Sequence, residues 1–175
     1  MNQPGQYCIF LTVWGYFGFS AVDGRITRTC LPCREETLVM QTLLDAGLAE
    51  YNSRLLPDVQ QGIIAYFQGK PFSFNTIALL GQAKTQFAED VYTALCTTSP
   101  GMTVSYSELA SMAGHLGAAR AVGHAMATNP LPLIVPCHRV VNASGRIGGF
   151  SAEGGVTLKK RLLQHEKDFW GGSSA

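Results

Sequence analysis

Ser105-Tyr106-Ser107-Glu108-Leu109-Ala110-Ser111-Met112-Ala113-Gly114-His115-Leu116-Gly117-Ala118-Ala119-Arg120-Ala121-Val122-Gly123-His124-Ala125-Met126-Ala127 is the stretch from which the second half of the chain is read. Ser105 followed three residues later by Glu108 forms a capping box and starts a short helix through Ala113. Gly114 and Gly117 bracket a turn, and a second helix is predicted from Ala118 to Ala127. Two short helices joined by a tight glycine turn make a helix-turn-helix. Gly123 inside the second helix costs about 1 kcal/mol relative to Ala, and its neighbours Ala118, Ala119, Ala121 and Ala125 are small. Such a helix suits close approach to another backbone.

Upstream, Phe87, Val91, Tyr92 and Leu95 share one face of a helix near Thr85 to Thr97, which Ser99-Pro100-Gly101 stops. Downstream, Asn129-Pro130-Leu131-Pro132 turns the chain into the apolar run Leu133 to Val135, followed by Pro136-Cys137-His138-Arg139. That order places Cys137 at the end of a buried strand facing a cleft. A last helix is predicted from Val156 to His165, with Leu158, Leu162 and Leu163 inward and Lys159, Lys160 and Arg161 mostly outward.

The first half reads differently. Tyr7 to Val13, Tyr16 to Val22 and Arg25 to Leu31 are aromatic and β-branched, punctuated by Gly15 and Asp23-Gly24, and predict a small antiparallel sheet. Helices are predicted from Glu35 to Ala49 and from Pro57 through Phe67, with Phe72-Ser73-Phe74 as a last short strand. The polar stretch at Gly81-Gln82 is the boundary. The expected fold class is α+β, with an N-terminal α/β lobe of residues 1–82 and a mostly helical lobe of residues 83–175.

A hydrophobic fraction of 46% and a charged fraction of 14% fit a soluble globule and exclude a disordered chain. No window approaches the roughly 20 apolar residues of a membrane span, and Met1 leads into Asn2-Gln3-Pro4-Gly5, so a cytoplasmic protein without membrane contact is expected. Five cysteines without framework spacing fit a reducing compartment. The net charge of +1 says little, but no Asp or Glu occurs from Leu109 to Ala152, where Arg120, Arg139, Arg146 and three histidines stand. Such a surface can approach phosphates.

A cysteine beside an imidazole is the smallest arrangement that makes a nucleophile, because the ring can take the thiol proton. On the Cys137-His138 dipeptide alone, a small buried hydrophobe is the alternative reading. Arg120 alone reads equally as a surface arginine on a core helix. Tyr106 alone reads as a core tyrosine at a helix start, and Glu166 as a solvated charge at a helix end, where an acid opposes the dipole.

Ile134-Val135-Pro136-Cys137-His138-Arg139-Val140 resembles the active-site motif of the O6-alkylguanine-DNA alkyltransferases. Ser105 to Ala110, Ala119-Arg120-Ala121-Val122-Gly123, Asn129-Pro130 and Leu162-Leu163-Gln164-His165-Glu166 resemble the same family, in its order, over nearly all of residues 85–166. The first lobe is similar to the family's variable domain only loosely. The resemblance implies repair of DNA by irreversible transfer of an alkyl group from O6 of guanine to Cys137, once per molecule, with O4-alkylthymine left open as a substrate. His138 would draw off the thiol proton through a water, Glu166 would orient the imidazole, and Asn129 would brace the site. The partner implied is double-stranded DNA carrying alkylated guanine. Tyr106, Ser107, Arg120 and Gly123 would contact it, Arg120 taking the place of a base flipped out of the stack. Tyr106, Met126, Pro132, Ser151 and the carbonyls of Cys137 and Val140 would form the base pocket. Phe150 departs from the tyrosine of many members, and the loop from Ser151 to Gly155 is longer than the shortest family loops.

Two other classes compete. A module that only binds damage would lack Cys137, and a Cys-His hydrolase leaves the helix-turn-helix unexplained. Cys30-Leu31-Pro32-Cys33 has half the spacing of a zinc site and Cys8 could add a third thiolate, but a fourth ligand is missing from the first lobe. No metal and no cofactor are expected, a disulfide among these three is left open, and a monomer is expected.

Overall fold

The computed structural model describes residues 5–45, 47–74, 77, 83 and 85–171. The chain divides into two compact units, Met1–Leu80 and Gly81–Ala175. The boundary stretch Gly81-Gln82 lies outside the described residues.

In the first unit, strands β1 (Gly5–Thr12), β2 (Gly15–Val22) and β3 (Arg25–Cys33) run antiparallel. The β2–β3 turn is the one its sequence asks for, since Asp23 (φ 49°) and Gly24 (φ 72°) both sit in the left-handed region. Two expectations fail here. Helix α1 spans Glu36–Leu44 and stops five residues early, where Gly47 N–H donates to the Leu44 carbonyl and turns the chain into strand β4 (Ala49–Tyr51). Strand β4 pairs parallel to β1, so the sheet is mixed, in the order β3-β2-β1-β4. Phe72-Ser73-Phe74 joins no strand; Phe72 and Phe74 instead pack edge to face, and Phe74 meets Tyr66 of helix α2 (Pro57–Phe67).

The sheet is covered on both faces. A Cβ on Gly18 would come within 2.6 Å of Val39 and 2.8 Å of Leu43, so glycine there lets α1 lie against the strand. The alternate residues Phe17 and Phe19 point the other way, where Phe67 of α2 meets Phe17.

The second unit begins with helix α3 (Gln86–Cys96), capped by the Thr85 hydroxyl. A two-residue strand β5 (Val104–Ser105) leads into helix α4 (Tyr106–Met112), whose capping box forms as read: Glu108 N–H donates to Ser105 Oγ at 3.1 Å, and Ser105 N–H to Glu108 Oε2 at 2.7 Å. Gly114 and Gly117 make the turn to helix α5 (Ala119–Ala127), completing the helix-turn-helix. His115, within that turn, bonds Asp90 of α3 at 2.8 Å.

The Pro136-Cys137 region corrects the strand expectation. Cys137–Arg139 is a single 3-10 turn, and only Val140–Val141 behind it is extended, as strand β6 paired parallel to β5. Helix α6 runs Gly155–Trp170, longer than expected, and buries Leu158, Lys159, Leu162, His165 and Glu166. Its phase therefore differs from the prediction: Lys159 faces inward and Leu163 is only half-buried. Among the described residues no helix is long and apolar enough to cross a membrane.

Candidate active site

Cys137 opens the 3-10 turn at 5% exposure and forms part of the wall of a cleft of about 450 Å³. Tyr106 from the start of α4, Gly123, Met126 and Ala127 from α5, the loop residues Gly149, Phe150 and Ser151, and Lys159 from α6 complete its lining. The turn that delivers Cys137 is strained, because Leu133 holds φ at 82°, where a branched side chain costs about 1–3 kcal/mol. Asn129 offsets that cost: its Nδ2 donates to the Val135 carbonyl at 3.0 Å and its Oδ1 accepts from Leu131 N–H at 3.0 Å. The same side chain favours the Cys137 thiolate, against the burial that raises the thiol.

Behind the sulfur lies a buried polar cluster. His138 Nε2 stands 2.8 Å from Glu166 Oε1, the two side chains being 1% and 0% exposed. Burial lowers the imidazole below its ordinary value, with Glu166 opposing, so the ring rests neutral. Its Nε2 faces a carboxylate and therefore carries the proton, which leaves Nδ1 as a bare acceptor with no hydrogen-bond partner among the described residues. Burial acts to raise Glu166 as well, but hydrogen bonds from His138 and Arg139 and the fixed charge of Arg139 outweigh it and hold the carboxyl well below the usual range. Burial pushes the Cys137 thiol up, against the Asn129 side chain and the Lys159 charge. The resting group is thus a thiol that needs a base.

Family models give the description 6-O-methylguanine DNA methyltransferase, DNA binding domain, over residues 86–168. A Mycobacterium bovis methylated-DNA-protein-cysteine methyltransferase is 46% identical over 104 residues, which are 59% of this chain and 60% of that protein's length. The protein of that name from Mycolicibacterium paratuberculosis is 36% identical over 157 residues, 85% of this chain and 92% of its own. The chain belongs to the methylated-DNA-protein-cysteine methyltransferase family. A crystal structure of Mycobacterium tuberculosis OGT in complex with DNA superposes with a TM-score of 0.77 at 31% identity, covering 93% of each chain.

Of the residues singled out from sequence, the fold brings Cys137, Tyr106, Gly123, Met126 and Ser151 to one cleft. His138, next along the chain from Cys137, pairs with Glu166 in the interior, and Asn129 holds the Val135 carbonyl two residues before the cysteine. Arg120 and Ser107 are exposed on α5 and α4, away from the cleft lining. Pro132 is half-buried in the strained turn and the Val140 side chain is fully buried; neither lines the cleft. The Val140 carbonyl accepts from Lys159 Nζ at 2.6 Å. A Cβ on Gly123 would meet Tyr106 only at 3.9 Å, so packing within the chain does not require glycine there.

Three participants escaped the sequence reading. Lys159 is 1% exposed, and its ammonium lies 5.8 Å from the centre of the Phe150 ring. Arg139 turns inward onto Glu166. Gly101, at φ 83°, donates its N–H to Glu166 Oε2 at 3.0 Å, and a Cβ there would press within 3.1 Å of Gly171. The apolar 3.6 period, with charges assigned outward by default, hides Lys159, and reading Arg139 as part of an acid-free basic surface hides its turn inward; the Ser99-Pro100-Gly101 stop signal marked the position of Gly101 but not its purpose. Among the described residues no group of three His, Cys, Asp or Glu side chains could hold a metal. Cys8 is buried in the sheet core, its thiol pushed up to about 12 by burial.

Proposed function

We propose that this chain removes alkyl groups from O6 of guanine in double-stranded DNA by transferring them to Cys137, one per protein molecule. The observation that carries the reading is a buried thiol on the wall of a cleft, followed in the same turn by an imidazole whose Nε2 meets the buried Glu166 carboxylate and whose Nδ1 is left as an acceptor. The O6 atom lies inside the base stack, so the nucleotide must leave the duplex, at a cost of a few kcal/mol. Arg120, exposed near the start of α5 among small residues, fills the gap left in the stack. The cleft takes the base against Tyr106 and Ser151.

The thiol proton passes to His138 Nδ1, directly or through one water. Sulfur then attacks the alkyl carbon, the carbon–oxygen bond breaks with its electron pair on O6, and guanine leaves with a proton in place of the alkyl group. Glu166 balances the charge on the ring while it lasts. The thioether has no good leaving group, so no water activated by His138 can restore the thiol. Because a free Cys137 is required, the protein works in a reducing compartment, the cytoplasm.

Intact mass after incubation with an oligonucleotide duplex holding one O6-alkylguanine tests this. One alkyl group per molecule should appear on the peptide containing Pro136-Cys137-His138, none on a Cys137→Ser variant, and excess substrate should persist. Repeated turnover with Cys137 unmodified at the end would overturn the reading.

A further inference from the structure

Arg139 stands two residues after Cys137, and its guanidinium is used wholly inside the protein. Nε lies 2.9 and 3.2 Å from the two carboxylate oxygens of Glu166, and Nη2 lies 2.9 Å from Oε1. Nη1 donates to the carbonyl and hydroxyl of Thr98. The two charged side chains are 6% and 0% exposed. An ion pair this deep is costly to assemble, and replacing such pairs by apolar residues is often neutral or stabilising, so stability alone does not account for it.

Its position beside the His138 ring does. Arginine cannot lose its proton in a protein, so the Arg139–Glu166 pair is fixed at zero net charge. A neutral pair places no demand for charge on the ring, and burial then favours the neutral imidazole. With Nε2–H turned to the carboxylate, the bare lone pair falls on Nδ1. Without the guanidinium, a lone buried carboxylate would draw a proton onto the ring. Nδ1 would then be occupied before any thiol proton arrived.

We propose that Arg139 is a positioning residue, acting through Glu166 to keep His138 neutral at rest with its Nδ1 lone pair available to Cys137. The step balances within the protein: the S–H bond breaks, the proton bonds Nδ1, and the electron pair stays on sulfur. Glu166 remains a carboxylate because Arg139 holds it so. The charged groups that act on the ring are Glu166 and Lys159 from α6 and Arg139 from its own turn, while Tyr92 from α3 and Tyr106 from α4 face Cys137, and Cys96 from α3 faces Arg139. Lys159 and Arg139 oppose a positive ring, and Glu166 favours it. The role given to Cys137 rests on the function proposed above, but the protonation of the ring is measured without alkyl transfer.

The full chain, labelled with nitrogen-15 at histidine, is titrated by NMR as wild type, Arg139→Lys and Arg139→Met, with His138 assigned from the spectrum of His138→Gln. Wild type and Arg139→Lys should hold neutral His138 with the proton on Nε2 at neutral pH. Arg139→Met should hold an imidazolium, its midpoint higher by at least about one pH unit, the scale on which a neighbouring charge acts. Reaction with free O6-benzylguanine should be slowed roughly tenfold in Arg139→Met at neutral pH, following that unit of midpoint, and recover as the pH rises. Arg139→Lys should keep its midpoint unmoved and its rate within about threefold of wild type, well short of the tenfold loss in Arg139→Met. An imidazolium in the wild type at neutral pH, or an unmoved His138 midpoint in Arg139→Met, overturns the proposal. If Arg139→Met does not fold, the wild-type and Arg139→Lys spectra decide it. A wild type that titrates as stated but takes up no alkyl group removes the proposed function and leaves the role of Arg139 standing.

Discussion

Burial that raises the Cys137 thiol makes its chemistry depend on the groups behind it, and substitutions there have separable signatures. Glu166→Gln should slow transfer by about 10²- to 10⁴-fold, the range for losing acid–base support. It should also destabilise the fold by about 3–5 kcal/mol, because Arg139 is left buried and unpaired. Urea titration and single-turnover rates measure the two losses. The pH dependence has a definite sign. Glu166 titrates below its ordinary value in the folded protein, so its contribution to stability is complete above the unfolded value of about 4.3 and is lost as pH falls through the lower folded value. Acid unfolding should therefore require fewer protons in Glu166→Gln. Arg120→Ala should weaken repair of duplex DNA by at least about tenfold more than reaction with free O6-benzylguanine, since a finger matters only where a base must leave a stack. Equal losses on the two substrates would make Arg120 a pocket residue instead. At this scale the motif around Cys137 was readable because its chemistry is local, whereas Lys159 and Arg139 were not, since nothing in a charged residue's neighbours in sequence reveals that its partner is a buried carbonyl or carboxylate.

Elements with their signals written in consecutive residues were legible. The Ser105–Glu108 box, the Asp23-Gly24 turn and Pro57 at a helix start all formed where they were read. Ser105→Ala should cost about 1 kcal/mol, visible as a lower urea midpoint with an unchanged slope. Because α4 begins with Tyr106 on the cleft wall, the same variant should react more slowly with free O6-benzylguanine. Elements fixed by distant partners were missed. Strand β4 has three residues and exists because β1 offers a free edge for parallel pairing. The phase of α6 is set by what lies beneath it, where the Val140 carbonyl and the His138 ring give Lys159 and Glu166 buried partners. A stripe counted from leucines alone therefore leaves both polar residues out.

The whole chain keeps its cleft, its buried cluster and its helix-turn-helix within Gly81–Ala175. A protein cut to Gly81–Ala175 should accordingly still react with free O6-benzylguanine at Cys137, at a rate within about tenfold of the full chain if the base and nucleophile keep their pKa values. Mass spectrometry of the alkylated fragment checks it, and a folded fragment without that adduct would mean that the first unit takes part in the chemistry. The division into two compact units also answers why the motifs of the second half could be read at once while the first half yielded only a sheet and two helices. The first unit is recorded in the sequence as hydrophobic pattern, which many sequences satisfy; the second is recorded as particular side chains, which few do. The partition bears on descent as well. Substitutions in the first unit that still let Phe17, Phe67 and Val39 be buried should therefore leave the descendant protein's reaction at Cys137 standing, whereas changes to the cysteine and its buried neighbours should not.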